Sequence, residues 1–255
     1  KEGRLERSLD PGACQWAHSV FMRSYAVFLL LYTVKVVARL LWRVQLEWVR
    51  HNEDPWANLR VLVLLNHTSL YEPVFLAAVP NRFLWQLAAH GVVPIADKTI
   101  ARPIVGYLFK FIARHVVPIT RERDATWSEL LSNIHDPKGL VLIVPEGRMK
   151  RTSGLDRHGN PLMIRGGIAD VLQAVPEGRL FIAYSGGLHH VQVPGERFPR
   201  LFKRAWLGAE VVDIPSYREE LRATMGSGSF KGAVIEDLTR RRDTHCDREG
   251  YPDSV

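Results

Sequence analysis

Cysteine is nearly absent: Cys14 and Cys246 are the only two in 255 residues. They stand near opposite ends with no metal-type spacing, which excludes a disulfide-stapled scaffold and a Cys-ligated zinc site and fits a reducing compartment. The chain also lacks a Walker A sequence and a Gly-x-Ser-x-Gly elbow, so neither P-loop phosphate chemistry nor that type of serine nucleophile is available. Gly226 to Gly232 misses the dinucleotide fingerprint by one residue and follows no strand, so it reads as a loop before a helix. Long uncharged runs are missing as well. The stretch between Arg23 and Lys35 holds 11 residues, against the roughly 18 that a spanning helix needs. Acidic residues are the minority, 27 against 34 Lys and Arg, for a net charge of +7. That balance favours anionic partners such as nucleic acid, phospholipid headgroups or phosphorylated small molecules. Arg240, Arg241 and Arg242, with Arg200, Lys203 and Arg204, are the basic clusters. No aromatic platform or groove-reading module accompanies them, so a membrane surface accounts for them as well as nucleic acid does, and no nucleic-acid partner is expected.

What is present is a globular composition, 46% hydrophobic and 24% charged, with no internal repeat. Ser19 to Arg50 is rich in Val, Leu, Phe and Trp without Gly or Pro, and charges at Lys35, Arg39, Arg43, Glu47 and Arg50 fall at spacings that keep them on one helical stripe. Such a helix suits an interfacial anchor, with its apolar face in the acyl boundary and its Arg heads among phosphates. A core helix packed on the domain is the competing reading. The spacing therefore divides the chain into an anchor over 1–51 and an α/β domain over 52–255.

Within that domain short apolar runs alternate with helical segments. Strands are expected at Arg60 to Leu65, Phe83 to Leu87, Val92 to Ile95, His115 to Ile119, Leu140 to Val144, Leu180 to Tyr184 and Ala209 to Ile214. Helices are expected at Pro103 to Ala113, Asp124 to Ile134, Gly167 to Val175 and Phe230 to about Arg242. The alternation predicts an α/β fold: a mixed, largely parallel sheet flanked by helices, preceded by the N-terminal helical anchor.

Chemistry-bearing residues collect at the carboxyl ends of predicted strands. His67 follows Leu65, Arg121 and Arg123 follow Ile119, and Glu146 with Arg148 follows Val144. Ligands of open α/β sheets bind outside the carboxyl ends of the strands, so parallel strands would bring these groups to one cleft. On a continuous helix Glu72 would sit about 140° around from His67, so the two can meet only if His67 precedes a helix whose first turn holds Glu72. Ser69 and Glu72 have capping-box spacing, which leaves two roles for Glu72: capping Ser69 alone, or fixing the His67 tautomer so that the other ring nitrogen takes a proton from an attacking hydroxyl. Pro145 to Gly154 places three cations and two hydroxyls in a turn after a strand, suited either to a phosphate or to plain solvation.

His67-Thr-Ser-Leu-Tyr-Glu72, preceded by Asn66, resembles the His-x-x-x-x-Asp motif of the glycerolipid acyltransferases, the 1-acylglycerol-3-phosphate acyltransferase family. Pro145-Glu-Gly-Arg-Met-Lys-Arg-Thr-Ser-Gly154 resembles their Pro-Glu-Gly-Thr-Arg block. Gly106 to Arg123 is similar to the block between them, and Phe181 to Gly187 falls where the apolar fourth block is expected. Two positions depart from the pattern: the acidic partner is Glu72 where the family usually has Asp, and Arg148-Met149 replaces Thr-Arg. The resemblance implies a membrane-associated acyltransferase of phospholipid biosynthesis, working without a cofactor or metal. It implies acyl-CoA or acyl-carrier protein as donor, a lysophospholipid-like acceptor, membrane phospholipids as partners and an active site facing the cytoplasm. It also implies His67 as general base, Glu72 as its orienting carboxylate, and Arg121, Glu146, Gly147, Arg148 and Arg151 as the acceptor and phosphate site. An amine or unphosphorylated lipid acceptor, or a non-catalytic lipid-binding protein, is the alternative.

Overall fold

A computed structural model describes residues 11–50, 53–96, 115–119, 134, 136–151, 153–193, 196 and 198–246, with backbone alone for 11–20, 95–96 and 115–119. The described elements run α1 (Pro11–Leu41), β1 (Arg43–Trp48), β2 (Leu59–Leu65), a 3-10 helix (Glu72–Ala77), α2 (Asn81–His90), β3 (Gly91–Ala96), β4 (His115–Ile119), β5 (Leu140–Ile143), α3 (Gly167–Ala174), β6 (Arg179–Gly186), α4 (Leu188–Val191), β7 (Arg204–Asp213), α5 (Ile214–Thr224) and α6 (Phe230–His245). The strands form one seven-stranded sheet in the order β1-β7-β6-β2-β5-β3-β4. From β6 across to β4 every pairing is parallel; β7 runs antiparallel to β6, and β1 parallel to β7. The sheet is thus mixed and largely parallel, as the alternation predicts.

Period-two alternation in the central strands builds a core on each side. Val61, Val63 and Leu65 of β2, with Leu180, Ile182 and Tyr184 of β6, pack on Ile168 and Leu172 of α3, Tyr217 of α5 and Val234 and Leu238 of α6. The opposite face, with Leu62, Phe181, Ala183 and Leu207, is covered by Val27, Leu31 and Ala38 of α1, the 3-10 helix and α2. Arg60 interrupts the β2 pattern. Its buried guanidinium is satisfied by the carbonyls of Ile134, Asp136 and Gly139, as a buried cation requires.

Three expectations are corrected. The helix expected from Ser19 to Arg50 ends at Leu41, and Arg43–Trp48 forms β1, paired with β7. Sheet structure therefore begins ahead of residue 52. Val44, Leu46 and Trp48 pack on the core while Arg43 and Gln45 are exposed, a strand's alternation. The four-residue step from Arg43 to Glu47 is nearly one helical turn and also two strand repeats, so it fits both periods. Phe83 to Leu87, expected as a strand, lies inside α2, where Phe83, Leu84, Leu87 and Ala88 line one buried face behind Pro80 at the N-cap; a short apolar run cannot by itself separate the two. Ile214 opens α5 rather than closing β7, because Asp213 caps the Ser216 amide at 3.1 Å with Pro215 in the first turn. The helix expected at 103–113, and all but Ile134 of the one expected at Asp124 to Ile134, lie outside the described residues.

α1 buries one stripe, Ser24, Val27, Leu31, Lys35 and Ala38, spaced three and four apart and continued by Trp42 just past its end. Phe21, Met22, Tyr25, Leu29, Tyr32, Val36, Val37 and Leu40 are exposed on the rest of the helix. Phe21–Leu41 has 21 residues and a mean hydropathy of 1.6, long and apolar enough to cross a membrane, and only 28% of it is buried. It is a candidate membrane anchor.

Candidate active site

Parallel pairing of β2 with β5 and β6 puts the segments after Leu65, Ile143 and Gly186 at one edge of the sheet. There Asn66 takes φ of +63°, the left-handed turn that Asn tolerates better than most side chains. Its side-chain amide donates to the Ser185 carbonyl at 2.8 Å, so the turn out of β2 is pinned to β6. The loop after β5 holds the same turn from the other side. Glu146, 3% exposed, accepts the Asn66 amide on Oε1 at 3.0 Å and the His67 amide on Oε2 at 2.8 Å. The Lys150 amide donates to the His67 carbonyl at 2.7 Å. Both backbone groups of His67 are therefore fixed by the Pro145–Lys150 loop.

Gly147 makes this possible. Its φ is +64°, and a Cβ there would lie 3.3 Å from Arg165 Nε, so a larger residue would be strained and crowded at the bend that aims Glu146 inward. Arg242, near the end of α6, brings its guanidinium to 3.6 Å from Glu146 Oε1 and donates to the Leu162 carbonyl at 2.8 Å.

On the other side of His67 the chain enters the 3-10 helix with Glu72 at its first residue. Nδ1 of His67 lies 2.5 Å from Glu72 Oε1, so the carboxylate accepts from Nδ1 and Nε2 is the nitrogen left for a substrate. The capping box is half made: the Ser69 backbone amide donates to Glu72, while Ser69 Oγ accepts from the Tyr71 amide at 3.1 Å. Glu72 thus serves both of its expected partners at once. Burial pulls the His67 pKa down, but the hydrogen bond and charge of Glu72 and the charge of Glu146 outweigh it, and the net shift is upward from 6.5. Burial also raises the Glu72 pKa, against the opposing pull of His67 and the Ser69 amide.

The remaining expected residues divide. Arg148 is ion-paired with the buried Asp156, whose carboxyl is held well below its usual range by the backbone amide of Asn160, by Arg148 and by the His158 amide. Arg151 is exposed on the turn closed by its own amide on the Leu155 carbonyl at 2.8 Å. Arg121 and Arg123 lie outside the described residues. Asn66 and Arg242 hold positions that motif reading left without a role. An Asn at the last turn of a strand is a legible signal for the first; nothing in the sequence connects Arg242 to Glu146. Among the described residues no group of three or more His, Cys, Asp or Glu side chains could hold a metal ion.

The sequence from 47 to 185 matches the family model for acyltransferases. The chain belongs to the acyltransferase family. All of Asn66, His67, Glu72, Glu146 and Gly147 fall inside the matched stretch, whereas Arg242 lies beyond it. Among solved structures, the crystal structure of the 1-acyl-sn-glycerophosphate (LPA) acyltransferase PlsC from Thermotoga maritima superimposes with a TM-score of 0.53 at 17% identity, covering 91% of this chain and 90% of that one. The acyltransferase thus shares the PlsC fold over nearly its whole length. No curated protein matches its sequence significantly.

Proposed function

We propose that this acyltransferase moves a fatty acyl group from acyl-CoA or acyl-carrier protein to a hydroxyl of a lysophospholipid-like acceptor at a membrane surface. The observation that carries this reading is the His67–Glu72 contact at the carboxyl edge of a parallel sheet, inside the stretch that matches the family. Nε2 of His67 takes the acceptor proton, the oxygen attacks the thioester carbonyl, and the tetrahedral intermediate collapses with loss of the thiol. Arg121, Arg148 and Arg151 are the cations that would meet an acceptor phosphate. An open apolar groove of about 320 Å³ is lined by Val34, Val37, Ala38, Tyr71, Pro73 and Val74, the sequence neighbours of Glu72 among them, and suits an acyl chain. Thiol release from acyl-CoA tests the reading, measured with lysophosphatidic, unphosphorylated and amine acceptors and with product mass. Turnover with the phosphorylated acceptor is expected; thiol release with none of them would overturn it.

α1 fits an interfacial helix better than a spanning one. Its buried stripe is packed on the domain, and Lys35 donates to the Val79 carbonyl at 2.7 Å and to Asn81 at 2.6 Å. A helix tied sideways to a polar domain cannot cross the bilayer without dragging that domain in. The packed stripe and exposed apolar face of α1 support an active site at a lipid surface, and in this reading it faces the cytoplasm, where activated acyl donors are soluble. Removing residues 1–51 would also delete β1 and part of the core, so the anchor is better tested on its exposed face. Leu29, Tyr32 and Val36 changed together to Ser should weaken vesicle binding by about two orders of magnitude or more. Thermal stability should stay nearly constant; unchanged flotation with lipid would remove α1 from the membrane contact.

Glu72→Gln separates orientation from capping. Gln still accepts from the Ser69 amide, but the charge that raises the His67 pKa is gone, and burial then pulls it down. A base must be neutral, so wild-type activity should rise with pH through a pKa above 6.5. In Glu72→Gln this acid limb should move to lower pH, and the maximal rate should fall roughly a hundredfold. An unmoved limb at full rate would reduce Glu72 to a cap.

A further inference from the structure

The segment just before β7 carries three large apolar side chains into solvent: Phe198 is 73% exposed, Leu201 45% and Phe202 68%. Phe202 also has φ of +60°, a left-handed backbone that a bulky aromatic residue rarely adopts. Strain of this kind persists only where surrounding contacts over-determine it. The Arg200 amide is tied to the Val191 carbonyl at 2.7 Å, and the contacts nearest Phe202 come from the end of α1 and the start of β1. The Phe202 amide donates to the Leu41 carbonyl at 2.6 Å and the Arg43 amide to the Lys203 carbonyl at 3.1 Å. The Trp42 indole donates to the Arg200 carbonyl at 2.8 Å. The loop is therefore rigidly joined to the part of α1 that exposes Val36, Val37 and Leu40. Cations alternate with the apolar groups: Lys203 and Arg204 are exposed on the loop and Arg43 beside it, while Arg200 is exposed but paired with Glu196. Arg240, Arg241 and Arg242, which composition groups with them, are instead engaged by Asp237, Glu210 and Asp243.

We propose that Phe198–Arg204 is a second membrane-inserting loop, which enters an anionic lipid surface together with the exposed face of α1. It rests on the interfacial reading of α1 and adds to it a separate point of contact. The occupant follows from two features. Hydrogen bonds at residues 41, 42 and 43 oblige the loop to share whatever interface the end of α1 occupies. Aromatic rings interleaved with Arg and Lys match the acyl boundary and the headgroup phosphates respectively. The consequence is orientational: a single helix can roll in the interface, whereas a helix plus a fixed loop holds one face of the domain towards the lipid.

The strain at Phe202 supplies a clean variant. Phe202→Gly removes the ring while suiting the backbone, since Gly adopts positive φ without penalty. Combined with Phe198→Ser it should lower the partition coefficient of the full chain on phosphatidylcholine–phosphatidylglycerol vesicles by roughly a hundredfold, about tenfold per ring. The melting temperature should hold or rise. Lys203→Gln with Arg204→Gln should leave binding to pure phosphatidylcholine unchanged and lose roughly tenfold or more of the gain from the anionic lipid. An unchanged partition coefficient in the Phe variant overturns the proposal, as does a lower melting temperature for Phe202→Gly, which would place the ring in packing. Intact vesicle binding with turnover lost only on an acyl-carrier-protein donor would assign the loop to a protein partner instead. If the wild-type chain binds neither vesicle, the reading of α1 falls too; if the α1 Ser variant binds weakly while both loop variants bind normally, the loop alone is wrong.

Discussion

His67→Ala is expected to lower acyl transfer by roughly 10³-fold or more, with the fold intact and the thiol-release assay as the measure. A positioned general base contributes about 10²–10⁴-fold. The fold survives because the contacts that seat the turn are made by the backbone of residue 67: its amide to Glu146 and its carbonyl from Lys150. The His67 side chain is in neither core cluster. Its loss leaves Glu72 with the Ser69 amide as partner, and burial raises the pKa of that carboxyl, which lessens the cost of the lost imidazole. Acceptor KM should change little, since the imidazole acts on the hydroxyl in the transition state rather than anchoring the lipid. A His67→Ala protein that turns over within tenfold of wild type, at any pH, would remove the base from the mechanism. A large fall in melting temperature would instead make the ring structural.

The arrangement around His67 was partly legible in the chain because it is local. Requiring His67 before a helix and Glu72 in its first turn follows from the 3.6-residue repeat alone, and the structure has that geometry. Strand alternation at β2, β5 and β6 likewise predicts the parallel centre of the sheet. Where the period is shared or too short to read the sequence is ambiguous, and two of the three corrected elements are of that kind: Arg43 to Trp48 repeats at four residues, and Phe83 to Leu87 is a run too short to show any period. Arg242 was illegible for another reason. It reaches Glu146 only because α6 packs on the face of the sheet opposite α1, a tertiary fact with no local trace. Glu146 is the intermediate case: resemblance to a motif marked the residue and gave it an acceptor role, while the folded chain points its carboxylate at backbone amides.

That difference gives Glu146→Gln a distinct signature. The wild-type carboxylate accepts two amides, one on each oxygen; the Gln side chain has one acceptor, so its amide group must face a second N–H. One buried donor is then unpaired, which costs about 1–3 kcal/mol, or several degrees in melting temperature for a domain of this size. Asn66 is affected first. Its left-handed backbone is held by Glu146 below and by Ser185 across the sheet, and without the first clamp the turn can relax toward a commoner conformation. His67 would move with it, and a displacement of about 1 Å at a catalytic group is enough for a hundredfold loss of rate. The expected result is therefore a kcat lower by roughly a hundredfold, with acceptor KM nearly constant and stability reduced. An acceptor-binding carboxylate predicts the opposite split: a raised KM, an unaltered melting temperature and near-normal kcat at saturation. The two outcomes share no parameter, so steady-state kinetics and one melting curve on Glu146→Gln decide whether this residue holds the lipid or holds the histidine.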